Sequence, residues 1–387
     1  MPDEHTESVL FPEPDTPRTG PLGRSEPGVH WYTQITRPEA IADRATINDW
    51  YRSLPDSDGT VAIRLRSELN NQHYPAVAEV IVHRLLRSRH EDVRYEEAPG
   101  APDFRVYQDD ELVLSLEVMA LAQRADWTSE ERQHDVIVDA LDERVKGGQG
   151  YMLDIVELRV STPPSLNALA KFVEQFLADL PPPAEVSAAL EAGRPLPTTT
   201  YQAEGIFMQV AALPLRKPIE PDEEGATRIV GMGPAMGGMV NSGIRLKEAL
   251  RDKGARRYDL GDCPYVVAAL IHDPFCTTDQ WMNALYGPDR LSLRPDDPIA
   301  LALPAEVQGL YGRDPTSMDA RATGTSSVLI IEQHGPLSAG GLHVFRLDNP
   351  NARVPLPDDA VPFSRRFAPV WTWTPPSEEA ERPLTLD

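Results

Sequence analysis

The sequence has 387 residues, room for two domains or for one large domain with insertions. Its apolar share of 41% supports a sizeable core, yet no apolar run approaches the ~20 residues of a membrane helix. The formal net charge of −23 argues against a general nucleic-acid coat protein, which needs clustered Lys and Arg, and leaves only a local basic groove for such a ligand.

Residues 1–29 are rich in Pro, Glu, Asp and Gly without periodicity, and read as a disordered acidic tail. Their start, MPDEHTESVL, lacks the basic and apolar pattern of a signal peptide. The two cysteines, Cys263 and Cys276, suit a reducing compartment, so the expected location is the cytoplasm. No Cys/His spacing points to zinc. Order is expected from Trp31, with a helix over Pro38–Leu54 and a mostly buried one over Ala76–Arg89. Three strands follow, Asp92–Glu96, Asp103–Gln108 and Leu112–Leu121, the last two joined at a DDE turn. A helix over Ser129–Val145 stops at KGGQG. Tyr151–Val160 reads as a strand, Ser165–Leu180 as a helix, 181–200 as a Pro-rich connector and Tyr201–Leu213 as a strand. A glycine-rich loop then leads to a basic helix over Ile244–Tyr258, a strand at Pro264–Ile271 and a helix at Thr278–Tyr286. The Pro-rich remainder holds a strand pair, Ser327–Glu332 and Leu342–Leu347, and 376–387 read as a second loose tail.

The strongest chemical signal is PDF at 102–104 with LSLEVM at 114–119. A three-residue DDE turn sets Asp103 opposite Glu117, with side chains roughly 5 Å apart. Carboxylates that close repel unless one is protonated or a cation lies between them, and Mg²⁺ is a natural cation for such oxygens. The bland alternative is a surface hairpin with unrelated acids. Glu79 interrupts the apolar run of its helix, with His83 one turn on; its burial needs a partner, a metal or an arginine.

A helix with a buried Glu, then PDF, then LEVM resembles the PD-(D/E)XK restriction-endonuclease-like superfamily in degenerate form, and the wider pattern resembles a group of bacterial proteins with that core. INDWYRSLP, AEVIVHRLL, KGARRYDLGDCPYVVAALI, NALYG, SSVLIIEQHG and LDNPNARVPLP carry the wider pattern from about residue 46 to 357. The resemblance implies a three-layer α/β/α core with a mixed sheet. Residues 30–121 and 244–290 would form its two parts, 122–243 a large insertion and 291–375 a C-terminal extension. It implies a nuclease using Mg²⁺ (or Mn²⁺), serving phage defence or DNA processing, with metal at Asp103 and Glu117 helped by Glu79. One departure stands out. The superfamily sets a lysine two residues after the strand glutamate, and here Met119 occupies that place, which leaves a catalytically inactive binding or regulatory protein as the alternative.

Some superfamily members move the lysine to a neighbouring helix. Lys253 fits that arrangement, because Leu246, Ala249, Leu250 and Lys253 share one stripe; otherwise it is an ordinary solvated lysine with a buried stem. The same helix carries Arg245, Lys247, Arg251, Arg256 and Arg257, either a phosphate-backbone contact or a solvated face paired with the acidic loop at 220–224. The rival motif, RIVGMGPAMGGMV at 228–240, has GxGxxxG spacing and a helix that starts too late to present its N-terminus to a pyrophosphate, so no nucleotide site is expected there.

Overall fold

The computed structural model describes residues 9–20, 22–121, 128–146, 150–218, 229–232, 242–254, 258, 260–272, 276–287, 309–312, 320–334, 336–337 and 340–367. In chain order the elements are α1 (His30–Thr33), α2 (Pro38–Arg52), α3 (Thr60–Leu65), α4 (Asn70–Arg87), β1 (Asp92–Tyr95), β2 (Phe104–Gln108), β3 (Glu111–Leu121) and α5 (Thr128–Arg144). Next come β4 (Tyr151–Val160), α6 (Leu166–Ala178), α7 (Pro183–Glu191), β5 (Thr198–Ala203), β6 (Ile206–Pro214) and β7 (Val230–Met232). Last are α8 (Ser242–Asp252), β8 (Tyr265–Ile271), α9 (Thr278–Tyr286), β9 (Ser327–Gln333), β10 (Leu342–Asp348) and β11 (Arg365–Phe367). No helix among the described residues is long and apolar enough to cross a membrane.

The chain divides into two units. The first comprises Met1–Glu13, Pro38–Ala122 and Val240–Asp387, and the second Pro14–Arg37 and Gln123–Met239. The first is built on a mixed sheet of order β1-β2-β3-β8-β9-β10-β11 among the described residues. β3, β8 and β9 run parallel at its centre, and β1, β2 and β10 pair antiparallel on either side. β8 reads YVVAALI, the continuous apolar run of a strand covered on both faces. Helix α4 covers one face, where Phe104 stacks on its His83. On the other face Leu246 and Leu250 of α8 and Trp281 and Leu285 of α9 pack on Met119, Leu121, Tyr265, Val267 and Ala269. The unit is therefore a mixed α/β structure in three layers, α/β/α.

The β2–β3 hairpin positions the site. Asp109 and Asp110 both adopt positive φ, 50° and 63°, so the turn has two residues rather than the expected three. A bulge at Val106/Tyr107 absorbs the difference, and Phe104 still pairs with Leu116. Side chains alternate along β3, so Leu114, Leu116 and Val118 face α4 while Ser115, Glu117 and Met119 face α8 and α9.

The second unit holds a sheet of order β5-β6-β4-β7 around Leu153, Ile155, Leu169, Val173, Met208 and Val210. Two expectations fail here for physical reasons. The connector at 181–200 contains α7 and the start of β5, because Pro183 occupies the first helical turn, where a missing N–H costs nothing. The single strand at Tyr201–Leu213 is a hairpin of β5 and β6, turned at Gly205 with φ 77°.

The loose tail through residue 29 is also corrected over residues 9–20 and 22–29. Leu10 and Phe11 are buried in the first unit, and the Asn48 side chain pairs with both main-chain groups of Phe11 at 2.9 Å. In the second unit the Asp139 carboxylate accepts the Arg24 and Ser25 N–H groups at 2.9 Å. Residues 1–8, residues 376–387 and most of the glycine loop, 233–241, lie outside the described residues.

Candidate functional site

Asp103 stands just before β2 and is partly buried. Its Oδ2 accepts the Val118 N–H at 2.6 Å, continuing the hairpin ladder one step past its last backbone pair. Extending the register sets Asp103 opposite Glu117, on the α8 face of the sheet. Burial, then the neighbouring Glu117 carboxylate, push the Asp103 carboxyl up to about 7, against the opposing pull of the Val118 N–H.

Glu117 is buried in the middle of β3. Its Oε1 receives the Lys253 ammonium at 2.5 Å, and its Oε2 receives the Tyr258 hydroxyl at 2.7 Å. Lys253 follows the last residue of α8 and is one-third exposed. The helix stops at Asp252 instead of running to Tyr258. Tyr265 of β8, itself fully buried, donates its hydroxyl to the Lys253 carbonyl at 2.5 Å. The structure thus brings together Asp103, Glu117 and Lys253, all read from the sequence, and adds Tyr258, which was read only as the end of a helix. Met119 lies among Leu246, Leu250 and their neighbours as an apolar core residue.

Glu79 takes the arginine alternative. Arg64 of α3 grips both its oxygens, at 2.8 and 2.6 Å, and the Tyr95 hydroxyl adds a third bond at 2.7 Å. Tyr95 pairs with Phe104 and packs on its ring, so this cluster lies on the α4 face, across the sheet from Glu117. Of the two partners its burial asks for, Glu79 has the arginine, supplied by α3, and its charge still adds to the upward push on the Asp103 carboxyl. His83 is a core residue stacked on Phe104. Burial, then Arg87 and Arg84, pull it down to about 4, so it is neutral.

On α8, Arg245 and Lys247 are partly buried and Arg251 is exposed; Arg256 and Arg257 lie outside the described residues. The Lys247 ammonium is pulled down by burial and then by the positive charges of Arg251 and Arg321. Arg321, remote in sequence, adds to the positive field around α8.

Among the described residues no group of three or more His, Cys, Asp or Glu side chains gathers to hold a metal ion. The pair Asp103 and Glu117 nevertheless suits one mode of Mg²⁺ binding, in which one or two carboxylates serve and water and phosphate oxygens complete the shell. Comparison of the chain with protein-family models, with curated proteins and with solved structures finds no match.

Proposed function

We propose that this chain is a divalent-metal-dependent nuclease acting on the phosphodiesters of nucleic acid, built on a degenerate restriction-endonuclease-like site. The observation that carries the reading is the Lys253 ammonium 2.5 Å from Glu117, a cation in the role that Met119 cannot fill. Asp103 and Glu117 would hold Mg²⁺ or Mn²⁺. The ion, when bound, activates water and stabilises the leaving oxygen. An ammonium has three donors, and among the described residues that of Lys253 spends one on Glu117, leaving the rest for a phosphoryl oxygen. Arg245, Lys247 and Arg251 would hold the phosphate backbone.

One observation favours the alternative, a catalytically inactive protein with a binding or regulatory role. Both Glu117 oxygens already have protein donors, and no third acidic or imidazole ligand joins the pair among the described residues. Cleavage assays with Mg²⁺ or Mn²⁺ on single- and double-stranded DNA and RNA separate the two. Activity that falls on the order of 10²–10³ in Lys253→Ala, the usual loss for a transition-state charge contact, supports the nuclease. No cleavage with any metal or substrate supports the binding protein, and equal activity in Lys253→Ala removes Lys253 from the mechanism.

A further inference from the structure

A carboxylate held at one oxygen is poorly fixed, because the terminal torsion of a glutamate side chain is broad and roughly two-fold. At Glu117 a second donor removes that freedom. Lys253 binds Oε1 and Tyr258 binds Oε2, from two points on the segment that joins α8 to β8. Lys253 is itself tied to the sheet. Lys253 presents its carbonyl where a helix runs out of amide partners, and the buried Tyr265 hydroxyl takes it. The Tyr258 and Tyr265 rings pack with centroids 5.8 Å apart.

We infer that Tyr258 is a positioning residue of this site: its hydroxyl fixes the Glu117 carboxylate so that Oε1 faces the Lys253 ammonium, while Tyr265 holds the main-chain end of the same lysine. Tyr258 touches neither phosphate nor metal in this role; it acts through Glu117. Hydrogen-bond partners behind a metal-binding carboxylate typically contribute about 10–100-fold in metal affinity or activity. The kinetic consequence rests on the nuclease reading above, whereas the geometric one, a fixed ammonium, does not.

The chain has five lysines, so the ¹H–¹⁵N spectrum of its lysine ammonium groups is simple, and Lys253→Arg assigns the Lys253 signal. The wild type should give a Lys253 signal protected from exchange with water, in the absence of metal and substrate. Tyr258→Phe, which keeps the ring against Tyr265, should lose that protection with an unchanged far-UV spectrum. In a chain that cleaves, Tyr258→Phe should also lower kcat about 10–100-fold and leave KM in place. A protected signal that persists in Tyr258→Phe, or an unprotected one in the wild type, overturns the proposal, as does undiminished kcat. A wild type that cleaves nothing defeats the nuclease reading alone, and the ammonium spectrum still decides the role of Tyr258.

Discussion

The Lys253 ammonium and the Glu117 carboxylate meet at 2.5 Å, joining the end of α8 to the middle of β3. Glu117 is almost fully buried and Lys253 one-third exposed, so removing the lysine strands a charge that water reaches poorly. Lys253→Met is expected to lower stability by roughly 2–3 kcal/mol, discounted from about 3–5 for a fully buried pair because the lysine is partly solvated. The double variant Lys253→Met/Glu117→Leu should cost much less than the two single changes together, since an apolar pair strands no charge. Urea unfolding of the four proteins measures this, and strict additivity would mean that the two groups are not coupled. Any loss of cleavage in a Lys253 variant is therefore to be read below its unfolding transition.

Glu79 and Arg64 yield a prediction of the opposite kind. Their pair is bidentate and lies on the α4 face, away from Glu117. Glu79→Gln keeps the shape but leaves Arg64 without a balancing charge, at a cost of roughly 1–3 kcal/mol. Divalent-metal affinity, followed by titration calorimetry, should stay at the wild-type value in this variant and collapse in Asp103→Asn. A matching collapse in Glu79→Gln would place Glu79 in the metal shell.

Much of this site is legible without coordinates because its signals are local. PDF and LEVM lie on two strands joined by a short turn, so period and register alone set Asp103 opposite Glu117. Lys253 declares itself by occupying an apolar stripe. The partners at long range are silent. Arg64 sits on α3, a six-residue helix with no periodicity to speak of, and nothing near Glu79 in sequence names it. Tyr258 lies past the true end of α8, where Gly254 and the charges around it carry no repeat. Phe11 is held by Asn48, 37 residues away, so its acidic, Pro-rich neighbours describe the segment poorly.

The pH dependence of stability should show two opposed contributions. Asp103 holds its proton up to about 7 when folded, against 3.8 for the free group, so between these values the folded state binds the extra proton. Its contribution is therefore full below about pH 4 and is lost as pH rises through about 7, an effect on the order of 2–4 kcal/mol. His73 and His83 do the reverse. Burial pulls each down to about 4 from 6.5, so the unfolded state binds the extra protons, and stability falls as pH drops from 6.5 towards 4. Burial holds both rings neutral: His73 against the opposing pull of its Nδ1 contact with the Leu65 carbonyl at 2.7 Å, and His83, stacked on Phe104, with the positive charges of Arg87 and Arg84 adding to the effect. In the wild type, measured with chelator present, the opposed slopes should partly cancel between pH 4 and 6.5. A decline set by Asp103 alone remains between 6.5 and about 7. Asp103→Asn removes one side of the balance, so its stability should rise steadily from pH 4 to 6.5 and then stay level. Urea midpoints across this range for the two proteins provide the test. Parallel curves would show that Asp103 titrates as an ordinary carboxyl, and with it would go the claim that Glu117 and burial together hold its proton.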